Sequence, residues 1–138
     1  MERKDVSQPR IVLCGAGRYG CMAARIAHEN GYQVVAAFNR KGAKIGRDVG
    51  RLAGADRDMG VLVQDIDTAN FVGLEADIGI VSQTNDLSVD FPVYERLMNA
   101  GINVLSLAMQ AYYPQASDPD IADRIETLAR KNGVTFTG

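Results

Sequence analysis

The chain has 138 residues, 46% of them apolar and 23% charged, with a formal net charge of −2 at pH 7, which suits one globular domain with an ordinary core. That balance excludes the basic footprint of a nucleic-acid binder, and no apolar run approaches the roughly 18 residues that cross a bilayer, so neither nucleic acid nor a membrane is expected as a partner. Cys14 and Cys21 have no cysteine or histidine at metal spacing, so no disulfide framework and no metal site are expected, and the expected compartment is a reducing cytoplasm.

Residues 1–9 are polar, with no apolar signal region behind the basic residues, and read as a disordered lead into a domain spanning 10–138. Arg10–Cys14 is an apolar strand that runs into the turn GAGRYG. Residues 21–30 then make a helix through Met22, Ile26 and small alanines, closed by Asn30-Gly31. Residues 32–38, rich in β-branched and aromatic side chains, form a second strand. Residues 44–54 carry glycines at 46, 50 and 54 and are expected as a loop with one short helix before a third strand at 60–64. A short helix is expected at 67–74, then a fourth strand at 76–82 whose near-continuous apolar character suits a parallel sheet covered on both faces. Residues 90–100 read as a helix with Pro92 in its first turn and Gly101 as its stop. A fifth strand at 103–107, a helix at 120–131 opened by Ser117-Asp118-Pro119-Asp120, and a sixth strand at 134–137 complete the chain. Strands alternating with helices predict an α/β fold of one domain: a Rossmann-type, doubly wound parallel sheet of six strands in the order 3-2-1-4-5-6.

Gly15, Gly17 and Gly20 make a G-x-G-x-x-G turn, with Ala16, Arg18 and Tyr19 between them, at the junction of the first strand and first helix. In that setting the first glycine permits the tight turn, the second lets main chain approach a pyrophosphate, and the third lets the helix lie close to the strand. N–H groups at the helix start then face the anion, assisted by the helix dipole. Arg18 reads either as a phosphate contact or as a solvated arginine. Flavin and S-adenosylmethionine proteins use related turns; the shortness of the chain and the sequence after strand two favour a nicotinamide cofactor.

Asn39 follows Gly20 by nineteen residues, about where NAD-selective proteins place a carboxylate on the adenosine ribose. With an amide there and Arg40 and Lys41 next to it, a 2′-phosphate is accepted rather than repelled, so NADP(H) is the preferred cofactor and NAD(H) the alternative. Arg40-Lys41 also reads as an ordinary solvated turn, or Arg40 as an adenine-stacking group. Ser82, Gln83 and Thr84 follow strand four and are candidate cofactor contacts, with turn formation and capping as the other reading. Tyr112-Tyr113-Pro114 follows strand five and either borders the nicotinamide or packs against another domain. His28, late in the first helix, is read as a surface residue, and both cysteines as packing residues. No catalytic residue is assigned.

The chain resembles the N-terminal domain of 2,4-diaminopentanoate dehydrogenases and native amine dehydrogenases, within the dihydrodipicolinate reductase-like group. The resemblance runs from Arg10 to Gly138 and rests on Gly15–Gly20, on residues 45–50 with Gly54 and Gly60-Val61, on Ala111-Tyr112-Tyr113-Pro114, and on Lys131-Asn132-Gly133-Val134. It implies an NAD(P)-dependent enzyme that interconverts a small-molecule amine with a ketone or imine by hydride transfer. It also implies a following substrate and dimerisation domain, so that this chain is the coenzyme part of a longer homodimeric protein and inactive by itself. Relatives place acidic residues before the Tyr-Pro segment; here those positions hold Met109 and Gln110, which cannot exchange protons as a carboxylate does. Two other readings stand beside it: a stand-alone NAD(P)-binding sensor or regulatory module, and an imine reductase of the dihydrodipicolinate type.

Overall fold

The computed structural model describes residues 8–138. Residues 1–7 of the expected lead lie outside the described residues. The elements run β1 (Arg10–Cys14), α1 (Arg18–Glu29), β2 (Gln33–Asn39), α2 (Val49–Leu52), β3 (Val63–Asp65), β4 (Ile78–Val81), α3 (Leu87–Asn99), β5 (Asn103–Ser106), a 3-10 helix (Met109–Tyr112), α4 (Pro114–Ser117), α5 (Pro119–Asn132) and β6 (Phe136–Thr137). All strand pairings in the sheet are parallel, and the order is β3-β2-β1-β4-β5-β6, as expected for a doubly wound sheet.

Strand periodicity divides the core in two. Val12 and Cys14 of β1 face a layer with Phe38, Tyr94, Leu97 and Ile125, against which α3 and α5 pack. Ile11 and Leu13 face the other layer, with Ala24, Ala27, Val49 and Val63, beneath α1 and α2. Alanines on α1 allow the helix to lie close to the sheet. Tyr94 brings a hydroxyl into the first layer, where it meets Ser106 Oγ at 2.6 Å. Ser106 Oγ also accepts from the Ala108 N–H at 3.2 Å, which ties the carboxyl end of β5 to the core. Burial pushes the Tyr94 hydroxyl above its usual pKa, partly offset by Ser106.

Three expectations are corrected. Residues 67–74 form turns rather than a helix. Their main chain is drawn elsewhere: Arg96 donates to the carbonyls of Ile66 at 2.8 Å and Ala69 at 2.5 Å and lies over the Phe71 ring at 4.2 Å, while that ring packs against Phe38. The third strand is shifted from 60–64 to Val63–Asp65 because Leu62 pairs with Asp48 in an isolated antiparallel bridge. The helix expected at 90–100 begins at Leu87, because Asp86 caps the Ser88 and Val89 N–H groups, and Pro92 is its sixth residue rather than part of its first turn. Residues 109–117, to which the sequence assigns no element, hold the 3-10 helix and α4. No helix among the described residues is long and apolar enough to cross a membrane.

The β2–β3 crossover is organised by Asp48, whose carboxylate accepts from the N–H groups of Gly50 at 2.8 Å, Met59 at 2.9 Å and Val61 at 3.1 Å. Burial pushes its pKa up, but main-chain donors led by Met59 and Gly50 more than offset this and hold it below the ordinary value of 3.8. Because the folded pKa is depressed, the stabilisation is fully present above pH 3.8 and is lost as pH falls through the folded value. Asp48→Ala is expected to cost about 2 kcal/mol, the upper end for a lost cap, and urea unfolding at pH 7 and pH 2.5 checks it: the difference from wild type shrinks at the lower pH.

Candidate functional site

Three glycines shape the carboxyl edge of β1, each for a different reason. Gly15 turns the chain at φ +121°, and a Cβ there would lie 2.8 Å from Ser82 O and Oγ. A Cβ on Gly20 would lie 2.0 Å from Gly15 O, so α1 contacts β1 with no room for a side chain. A Cβ on Gly17 would meet nothing within 4 Å; that position faces open space.

Gly17 is the N-cap of α1, with no side-chain cap and no acidic residue in the first turn. By contrast α2, α3 and α5 begin on Asp48, Asp86 and Asp118, each accepting from main-chain N–H groups. The first N–H groups of α1 therefore remain available to an external anion. Behind them Ser82 Oγ is buried with no hydrogen-bond partner, and it faces the crease between Gly15 and Gly20.

Gly15, Gly17, Asn39, Arg40, Ser82 and Gln83 line one cleft of about 140 Å³. Arg40 and Gln83 continue into a second of about 400 Å³, with Lys41, Ile66, Val89 and Arg96 among its walls. Together they form a continuous path across the carboxyl edges of β1, β2 and β4. A groove of about 460 Å³ beside β6, lined by residues such as Ile125 and Phe136, is separated from β1 by two strands.

Most of the expected site residues meet here, but their roles differ. Ala16 is buried and offers only main chain; its N–H donates to Asn39 Oδ1 at 3.2 Å, which leaves Asn39 Nδ2 as the donor toward the cleft. Arg18 and Tyr19 are exposed in the first turn of α1 and line neither cleft. The Thr84 hydroxyl is bonded to Asp90 Oδ1 at 2.8 Å and to Asp86 O at 3.2 Å, so its capping role is the one observed. His28 meets Asp56 at 3.5 Å at the far end of α1. Cys14 is sealed in the core, where burial pushes its thiol up to about 12 against a weaker opposing effect of Arg96.

Four further residues make contacts that carry no marker in the sequence. Asp90 is fully buried; burial raises its pKa, against the Thr84 hydrogen bonds and the nearby charge of Arg40, and its carboxylate holds the segment after β4. Gln110 Oε1 accepts from the Leu87 N–H at 2.9 Å, so this side chain stitches the segment after β5 to the start of α3. Arg96 is among the residues that line the second cleft, and Lys44 Nζ donates to Ala16 O at 2.7 Å. Proline and aspartate spacing pointed to the start of α5, but none of these four contacts follows from spacing.

Sheet order and glycine turn together define the class: a Rossmann-type, doubly wound α/β domain. No protein-family model matches the chain. It is similar to 2,4-diaminopentanoate dehydrogenase of Acetoanaerobium sticklandii, 25% identical over 134 residues that cover 94% of this chain and 37% of the relative. It is also similar to the amine dehydrogenase from Mycobacterium smegmatis, at TM-score 0.86 and 29% identity over 96% of this chain and 39% of the other. The GenD2 protein of gentamicin A biosynthesis, solved with NAD, shares the fold at TM-score 0.64 and 18% identity, covering 99% of this chain and 36% of that one. The chain thus spans less than two fifths of the length of these relatives.

Proposed function

We propose that the chain is the coenzyme domain of an oxidoreductase that interconverts a small-molecule amine with a ketone or imine, and that it prefers NADP(H) to NAD(H). The observation that carries this reading is the uncapped start of α1 at Gly17, opening on the same cleft as Asn39 and Arg40. The residues fit a dinucleotide: the crease leaves no room for Cβ atoms at Gly15 and Gly20, is open at Gly17, and holds the unpartnered Ser82 hydroxyl. The two dehydrogenase relatives support the reaction class, and GenD2 the use of a nicotinamide dinucleotide.

In this reading the α1 N–H groups bind the pyrophosphate, Asn39 Nδ2 and Arg40 bind the adenosine 2′-phosphate, and Gln83 lies between the two clefts. Asp90 holds the segment after β4 in place through Thr84. The nicotinamide, when bound, supplies or accepts the hydride. Gln110 is occupied as a helix cap and Met109 is apolar, so residues 107–114 bring no carboxylate for proton transfer, and that task falls to the rest of the whole protein. The exposed Met109, Tyr112 and Tyr113 suit a face covered there by a substrate domain.

Calorimetric titration of the chain with NADPH and NADH tests the proposal. Binding of both, with NADPH at least about tenfold tighter, is the expected result. Absence of binding by either at millimolar concentration would overturn it.

A further inference from the structure

Lys44 lies between β2 and α2, in a segment that is held firmly. Gly46 N donates to Val63 O at 2.8 Å, Val63 N to Arg47 O at 2.9 Å, and Val49 N to Val61 O at 2.8 Å. This antiparallel lacing, reinforced by the Asp48 contacts, fixes the point from which the Lys44 side chain starts. That side chain is half-buried and ends on the glycine turn, with Nζ 2.7 Å from Ala16 O. Cys21 Sγ also donates to this carbonyl, at 3.3 Å.

Two features separate this ammonium from an ordinary brace. It has three donors, of which the carbonyl uses one. Among the described residues no carboxylate lies within 4.0 Å of it, unlike Arg10, Arg25, Arg51, Arg124 and Arg130, which all have acidic partners. A half-buried cation with unused donors and no counter-charge favours an anionic ligand.

Position decides which anion. The pyrophosphate belongs over the start of α1, whereas Lys44 arrives from the β2 side. It shares Ala16 with Asn39, which takes the N–H of that residue while Lys44 takes the carbonyl. Asn39 stands where an adenosine ribose is bound in this fold. A carboxylate at position 39 would give the ammonium a partner; the amide leaves its charge open.

We infer that Lys44 is a specificity-determining residue that contacts the adenosine 2′-phosphate from the side of the glycine turn, completing a site with Asn39 and Arg40. The inference rests on the NADP(H) reading above and goes beyond it by assigning a residue from the crossover.

The test is titration of wild type, Lys44→Met and Lys44→Arg with NADPH, NADH, 2′,5′-ADP and 5′-AMP, with a melting curve for each protein. Lys44→Met is expected to weaken NADPH and 2′,5′-ADP by about tenfold or more, as for a lost charge-assisted contact, with NADH and 5′-AMP nearly unchanged. Lys44→Arg should recover most of the loss. Equal weakening of phosphorylated and unphosphorylated ligands overturns the inference in favour of a brace on the turn, and so does no weakening at all. A wild type without NADPH preference overturns the NADP(H) reading and this inference together; a preference that survives Lys44→Met overturns this inference alone. If Lys44→Met does not fold, Lys44→Gln replaces it, keeping a donor for Ala16 O while removing the charge, and is judged by the same ligand ratios.

Discussion

Gly20→Ala is expected to lower the melting temperature of the chain by about 10 °C or more. The added Cβ would lie 2.0 Å from Gly15 O and 2.8 Å from Gly15 C, and the neighbours are main chain that no rotamer change can move. Overpacking typically costs about 1–3 kcal/mol where side chains can adjust. Here α1 must lift from β1, so about 3 kcal/mol or more is expected; at about 3–5 °C per kcal/mol for a domain of this size, that gives the stated shift. The same substitution at Gly17 should behave in the opposite way. Its φ of −79° suits alanine and its Cβ would enter open space, so the cost is only that of exchanging glycine for the poorer N-cap alanine, about 1 kcal/mol or less, and melting should fall by no more than about 4 °C. Coenzyme affinity should nevertheless fall by about tenfold or more, because the methyl group occupies the approach to the α1 N–H groups. Circular-dichroism melts and coenzyme titrations of both variants provide the check. If Gly20→Ala melts with wild type, the close contact of helix and strand is wrong; if Gly17→Ala binds normally, the pyrophosphate is not there.

Arg40→Ala should lower NADPH affinity by about ten- to a hundredfold, corresponding to the 1.5–3 kcal/mol of one charge-assisted hydrogen bond, while NADH binding changes by less than about twofold. Arg40 lines both clefts and is solvent-exposed, so a 2′-phosphate meets it without burying the guanidinium. The charge of Arg40 is felt by the buried Asp90 carboxylate, whose hydrogen bond goes to the Thr84 hydroxyl. The NADPH advantage should also shrink between low and high salt, as expected for an exposed ion pair. Equal losses for the two coenzymes would instead make Arg40 an adenine-stacking residue.

Much of this architecture is legible in the sequence because its signals are local. A buried parallel strand needs an apolar run, a tight strand-to-helix turn needs glycine, and a helix start needs a capping group; β1, β2, β4, the turn at Gly15–Gly20 and the start of α5 each carry such a signal. The strand order follows from the alternation of strands and helices under right-handed crossover. The sequence also places Asn39 and Arg40 at the end of β2, because nineteen residues from Gly20 is a helix and a strand.

Contacts between segments distant in the chain are set by how the elements pack and carry no local signal. The 67–74 segment has an acceptable helical pattern, but Arg96 takes its carbonyls and Phe38 receives Phe71. Thr84 turns to Asp90 and Gln110 reaches Leu87, pairings that join loops after different strands. Lys44 meets Ala16 across 28 residues only because Asp48 and the β3 edge fix the crossover between them. Periodicity and spacing report which face a residue takes on its own element; a hydrogen bond between elements depends on their packing, which no local pattern records.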